Sequence, residues 1–201
     1  PIKPGKVHNT THLGRPGGGL LAIGLYQVEA KPFSITEWTQ CPPNQWKAEA
    51  APLFAFYGMG LQGWDASYHF LNSRTRQGEG WPNLSYYVTD TPHYIGQFPA
   101  IAFALNKGHV TEAPTVAARR VAVKQLFTGR DALSQDIIGD NHDQKDASNK
   151  TPTELLAIGK VTAAFNGGRS DVADWQQFVD RRAGVVRSVT GELIWHYRDR
   201  Y

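Results

Sequence analysis

The stretch "KPFSITEW", residues 31–38, sets the strongest limit on what this chain can fold into. Its residues are apolar or small almost throughout, without the strict alternation of a half-exposed strand. That is the pattern of a parallel strand covered on both faces. A helix-period segment follows. In "CPPNQWKAEAAPLFAFYGMGLQGW", Trp46, Leu53, Phe54, Tyr57 and Leu61 recur at helical spacing after Pro42, Pro43 and Asn44 mark a start. Pro52 inside that pattern predicts a helix that kinks there or begins only after it, and Gly58, Gly60 and Gly63 weaken its end. "WDASYHFLN" (64–72), rich in aromatic residues, reads as a second strand. Strand, helix and strand over roughly forty residues make a βαβ unit, and a βαβ unit makes its two strands parallel.

The flanks are less regular. Residues 1–19 hold two early prolines and "GRPGGG", a loop composition. "LLAIGLYQVEA" (20–30) is open between a short amphipathic helix and an extended run. Asp90 and Thr91 ahead of Pro92 cap a helix through "PHYIGQFPAIAFALNKG", which ends at Gly108 with Lys107 in its last turn. Beyond residue 109 the character changes. "HVTEAPTVAARRVAVKQLF" reads as antiparallel strands, "DALSQDII" as a short helix and "IGDNHDQKDASNK" as a polar loop. "TPTELLAIGKVTAAF" opens on a capping box, Thr151 with Glu154, and "GVVRSVTGELIWHY" (184–197) reads as a hairpin around Thr190 and Gly191. A boundary is expected near 109–112, and there are no internal repeats.

Composition narrows the function classes. Of 201 residues, 41% are hydrophobic, enough for one sizeable core or one and a half small ones. The net charge is +3, and Lys or Arg never run longer than the pairs at 119–120 and 181–182, which argues against a nucleic-acid partner. No apolar stretch approaches the ~18 residues needed to span a bilayer, so no membrane partner is expected. Cys41 is the only cysteine, which excludes an internal disulfide framework. The start, "PIKPGKVHNT", lacks an initiator Met and an apolar leader core, as though cut from something longer.

Glu37 then draws the eye. Catalytic side chains of parallel α/β barrels sit at the carboxyl ends of the strands, and Glu37 ends a strand of this kind. The alternative on spacing alone is a strand-end glutamate that pairs with an arginine or caps a helix. "KPFSITEW" followed by "PNQWKAEAAPLFAFYGMGLQGWD" resembles the seventh strand, seventh helix and eighth strand of the clan A retaining glycoside hydrolases, which include β-galactosidases, cellulases and agarases. The shared pattern is a Lys-Pro lead-in, a short strand, a glutamate at its tip and an aromatic eighth strand. It covers about residues 31–110. "DTPHYIGQFPAIAFALNKGHV" resembles the closing helix of such barrels, and "SVTGELIWHY" the start of an appended β-rich domain.

The resemblance implies an α/β fold. Residues 1–110 would form the C-terminal portion of a (β/α)8 TIM barrel, and 111–201 the start of a smaller α+β or β-rich domain. It makes Glu37 the nucleophile of a retaining hydrolysis of a poly- or oligosaccharide. Trp38 and Trp64 become stacking faces for sugar rings, with ordinary core tryptophans as the alternative. Asp65 would hydrogen-bond substrate or support Glu37, and His8 and His12 in the first loop would touch substrate. His69, further along the same strand than Asp65 and facing the same side by the period of two, reads as a core residue, and Glu49 as a carboxylate that favours the start of its helix.

The chain departs from the family in one respect that matters. The acid/base glutamate should follow an asparagine on the fourth strand, and no Asn-Glu pair occurs here. Only two of the eight strands fit. The expected partner is therefore the N-terminal remainder of the same enzyme, missing or on a separate chain, and this chain alone should not hydrolyse anything. No cofactor is expected. His8 and His12 lie four apart, but Asn9, Thr10 and the glycines after them argue against a helix there, so no metal is expected either. "DNHDQKD" (140–146) lacks the frame of a calcium loop, and "GRPGGG" lacks the Lys-Ser/Thr of a phosphate loop. Polymer-degrading enzymes are exported, which favours a secreted or periplasmic location. Two rivals remain: a non-catalytic carbohydrate-binding module with Trp38, Trp46, Trp64 and Trp81 as platforms, and a structural domain carrying a vestigial piece of barrel.

Overall fold

In the computed structural model, which describes residues 11–39, 48–70, 96–127, 151–167 and 170–198, β1 (Ser34–Trp38) and β2 (Ala66–His69) lie side by side and parallel. The helix between them starts as α1 (Ala50–Pro52) and continues with π-helical bonding over Leu53–Leu61. Pro52 neither kinks nor delays it. The proline sits in the first turn, where a backbone N–H has no helical acceptor to lose. The glycines serve contact rather than fraying: a Cβ on Gly58 would collide with the Trp64 ring, and one on Gly60 would press on Val110.

This helix covers one face of the parallel pair, with the Phe54 ring set against Trp38 and Trp64. Ile35 and Trp38 meet it, whereas Ser34, Thr36, Glu37 and Tyr68 are exposed. The expectation that the strand is buried on both faces is thus corrected: among the described residues it is covered on the helix side only. Its small residues, Ser34 and Thr36, lie on the bare side.

The residues that precede β1 belong to a second layer. The 3-10 helix Gly19–Tyr26 packs on β4 (Lys160–Ala164), and Val28 bridges Ala163 in parallel. β4 also pairs in parallel with β3 (Thr115–Arg120), whose other edge carries β5 (Asp171–Val172) antiparallel. The antiparallel pattern expected beyond residue 109 therefore gives way to a mixed sheet. β3 has an almost unbroken buried run from Val116 to Arg119, the pattern of a parallel strand. β6 (Val179–Asp180), β7 (Val185–Arg187) and β8 (Ile194–His196) form an antiparallel sheet, with Gly191 at φ +75° turning the expected hairpin between the last two.

Three further α-helices, α2 (Phe98–Asn106), α3 (Val123–Phe127) and α4 (Leu155–Ile158), and the short 3-10 helix Gln176–Phe178 complete the described residues. α2 is followed by Gly108 at φ +64°, as the sequence predicts. Glu154, the acidic member of the expected capping box, itself directly precedes α4 and makes no side-chain capping bond there. The predicted cap at Asp90 and Thr91, the helix "DALSQDII" and the loop 140–146 lie outside the described residues. One buried apolar cluster runs from Leu21 through Ile35, Phe54, Ala113 and Leu155 to Trp195, so the core continues across the boundary expected near 110. Among the described residues no helix is long and apolar enough to cross a membrane.

Candidate functional site

Glu37 owes its exposure to an irregularity in β1. The parallel pair matches Ser34 with Ala66, Ile35 with Ser67 and Trp38 with His69. Between the last two matches β1 takes one residue more than β2, a β-bulge in which Thr36 and Glu37 together oppose Tyr68. Side chains of a regular strand alternate with a period of two, so an inward Ile35 would carry Glu37 inward as well. The extra residue breaks that parity. Trp38 takes the buried position, and Glu37 faces water.

The tip is fixed by Trp38, which is 7% exposed. Its Nε1 donates to Ser67 Oγ at 2.8 Å. Its ring meets Phe54 and His69 edge-on, with centroids 4.8 Å apart in both pairs. Burial lowers the His69 pKa below its usual value, so the ring is neutral at pH 7. Its Nε2 lies 3.4 Å from Thr39 Oγ1. His69 is accordingly a packing residue at the strand tip, on the helix side of the pair.

Trp64 is equally enclosed. Phe33 and Phe54 flank it at centroid distances of 5.3 and 5.7 Å, and Gly24 and Gly58 give it room. With Trp38 and Trp64 both in the core, neither ring offers a face to a sugar, and the alternative reading of these two tryptophans describes their places. Asp65 is exposed but lies at the far end of the pair. Its Oδ2 accepts the Phe33 N–H at 2.8 Å, and its own N–H donates to Phe33 O at 2.9 Å. Three residue steps along β2 separate Asp65 from Tyr68, which lies opposite Glu37, about 10 Å. Asp65 clamps the start of the pair and does not support Glu37.

His12 is half-buried, and its imidazole lies against Gly19. The loop that holds it is fastened by Glu49: Thr11 Oγ1 donates to Glu49 Oε1 and His12 N–H to Glu49 Oε2, both at 2.7 Å. Glu49 opens the helix that returns from the carboxyl end of β1 towards the start of β2. It therefore brings the His12 loop to the same end of the unit as Glu37. Sequence reasoning gave Glu49 only a helix-end role. A carboxylate 8% exposed with two outside donors cannot be told from an ordinary first-turn glutamate without the loop in view. His8, Trp46 and Trp81 lie outside the described residues.

Glu37 has no hydrogen bond or ion pair among the described residues. An open, unpaired carboxylate at a strand tip can attack an electrophilic carbon, take a proton or meet a cation, and each of these needs a second group beside it. A shallow depression of about 480 Å³ lies elsewhere, against β3 and β5, lined by Thr115, Val116, Ser170, Asp171 and Val172. Its carboxylate, Asp171, already pairs with Arg120 at 3.6 Å. Set against protein-family models, curated proteins and solved structures, the chain matches none.

Proposed function

We propose that these residues belong to the catalytic barrel of a retaining glycoside hydrolase acting on a poly- or oligosaccharide, with Glu37 as the nucleophile. The observation that carries this reading is the bulge: it turns a carboxylate out at the carboxyl end of a parallel strand, on the face that no helix among the described residues covers. Parallel sheets are covered on both faces, and two strands do not make a stable sheet alone. The bare face of β1 and β2 is where further strand–helix units of a barrel would close over Glu37.

The chemistry follows from that placement. The Glu37 carboxylate attacks the anomeric carbon as the bond from that carbon to the leaving oxygen breaks. A second carboxylic acid gives its proton to the leaving oxygen. The resulting glycosyl ester on Glu37 is then opened by water, whose proton passes to the second carboxylate, restoring both groups. That partner must stand about 5–5.5 Å from Glu37. It comes from polypeptide other than the described residues, where no candidate stands beside Glu37.

Glu37→Gln keeps the shape of the side chain and removes its nucleophilicity. In the complete enzyme it should lower kcat by about 10⁴-fold or more and leave substrate binding intact. A 2-deoxy-2-fluoroglycosyl fluoride should add one glycosyl unit, which peptide mapping finds on Glu37. Turnover by the variant at the wild-type rate, or a label on another carboxylate, would refute the assignment.

A further inference from the structure

Val186 of β7 pairs with Trp195 of β8, and both are buried in the core, so by the period of two their neighbours turn the other way. That outer face carries Arg187 beside Ile194 and, two residues away, Val185 beside His196. Arg187, Ile194 and His196 are exposed. Arg198 continues the row two residues beyond His196. It is exposed, and its Cβ and Cγ lie 2.7 Å from where a Cβ on Gly184 would stand. The link from β6 to β7 adds two more arginines. Asp180 Oδ1 accepts the Ala183 N–H at 2.8 Å, which closes the turn and leaves Arg181 and Arg182 exposed at its tip. None of the four arginines has a hydrogen bond or ion pair among the described residues. The nearby carboxylates are engaged elsewhere: Asp180 by Ala183, and Glu192 by Thr111.

We propose that this face of the β6–β7–β8 sheet binds an anionic polysaccharide, a chain that bears carboxylate or sulfate groups. The planar fork of an arginine matches such a group, and unpaired forks spread over one exposed face match a polymer that repeats it. The choice of a glycan rests on the glycoside hydrolase reading above and narrows the class of polymer that the enzyme holds. Single-stranded nucleic acid, the rival polyanion, is bound on sheets by aromatic rings that stack its bases. No tryptophan, tyrosine or phenylalanine of residues 179–198 is exposed. Trp195 packs on Tyr57 of the helix beside β1 at 4.8 Å, so a polymer held here is held on the core that also supports Glu37.

The test reads binding without turnover. In about 0.1 M salt the complete polypeptide should bind dextran sulfate or polygalacturonate and leave neutral dextran unbound. Changing Arg182, Arg187 and Arg198 together to glutamine should weaken that binding about tenfold or more at an unchanged urea midpoint. Arg182→Gln and Arg187→Gln taken singly should each weaken it about two- to threefold, which covers a triple variant that fails to fold. Changing the exposed Arg15, Lys107 and Lys124 to glutamine removes the same charge elsewhere and should alter binding by less than about twofold. A wild type that binds neither anionic glycan overturns the proposal. So does an equal loss in the two triple variants, since binding would then follow overall charge. Tighter binding to single-stranded oligothymidylate than to either glycan would give the face to nucleic acid instead. Glu37→Gln should bind like wild type. If it also turns over like wild type, the hydrolase reading falls and the glycan binding, measured separately, remains. If Glu37→Gln is inactive and the arginine variants bind unchanged, the arginine face alone falls.

Discussion

Gln62 is fully buried, and its side chain is spent on backbone groups of a distant segment. Nε2 donates to Leu156 O and Gly159 O, and Oε1 accepts from Val161 N–H. Its own carbonyl accepts from Gln27 Nε2 at 3.0 Å. One residue thereby ties the end of the α1 helix to α4, to β4 and to the stretch before β1. Replacing it with leucine fills the space and strands one buried N–H and two carbonyls. Each such group costs about 1–3 kcal/mol, so Gln62→Leu should lose about 3 kcal/mol or more in urea unfolding. A loss below about 1 kcal/mol would mean that the three groups find other partners. Nothing in "GLQGW" sets this glutamine apart from a surface residue at a helix end; its partners lie more than ninety positions away.

Elements were legible where local periodicity decides them. The strand at Ser34, the helix through Leu61 and the strand at Ala66 stand where spacing puts them, although the first strand buries one face and not the two its pattern marks out. The bulge was not legible: it is a mismatch with a partner some thirty positions on, and "SITEW" carries no sign of that partner's register. Trp38 and Trp64 stayed ambiguous for the same reason, since a tryptophan in a strand serves core and ligand equally well until its neighbours are placed. The hairpin β7–β8 shows what such an element gains from one contact. Its turn residue Glu192 accepts from Thr111 N–H at 2.8 Å and from Thr111 Oγ1 at 2.7 Å. The bond from the Thr111 backbone is the main cause that holds the Glu192 carboxyl below its usual pKa. A folded-state pKa below the unfolded one adds stability that is full above the unfolded value of about 4.5 and fades as pH falls through the folded value. Wild type should therefore exceed Glu192→Gln in urea midpoint near neutral pH, and the gap should close in acid. A gap that persists unchanged in acid would deny the carboxylate this role.

The whole molecule gives the open strand tip a firm base. Trp195 in β8 donates from Nε1 to Leu13 O at 2.7 Å and packs on Tyr57 of the helix at 4.8 Å, where burial raises the tyrosine pKa. Val189 N–H reaches Ile158 O, and Ala163 N–H reaches Gln27 O. Chain from both sides of residue 110 is thus interleaved in one core, which predicts one cooperative unit. Native-state hydrogen exchange offers the check, because amides that open together share one free energy and one dependence on denaturant. The buried amides of Leu61, Val161 and Val186 should merge into a single slope well below the unfolding midpoint. Two separate slopes, with Leu61 apart from Val161 and Val186, would mean that the parallel pair and its helix open on their own. A shared slope has a consequence for the site as well. The face carrying Glu37 and Tyr68, exposed among the described residues, would then have the most stable part of the molecule behind it, so under the barrel reading proposed above further strands would dock on a surface already formed.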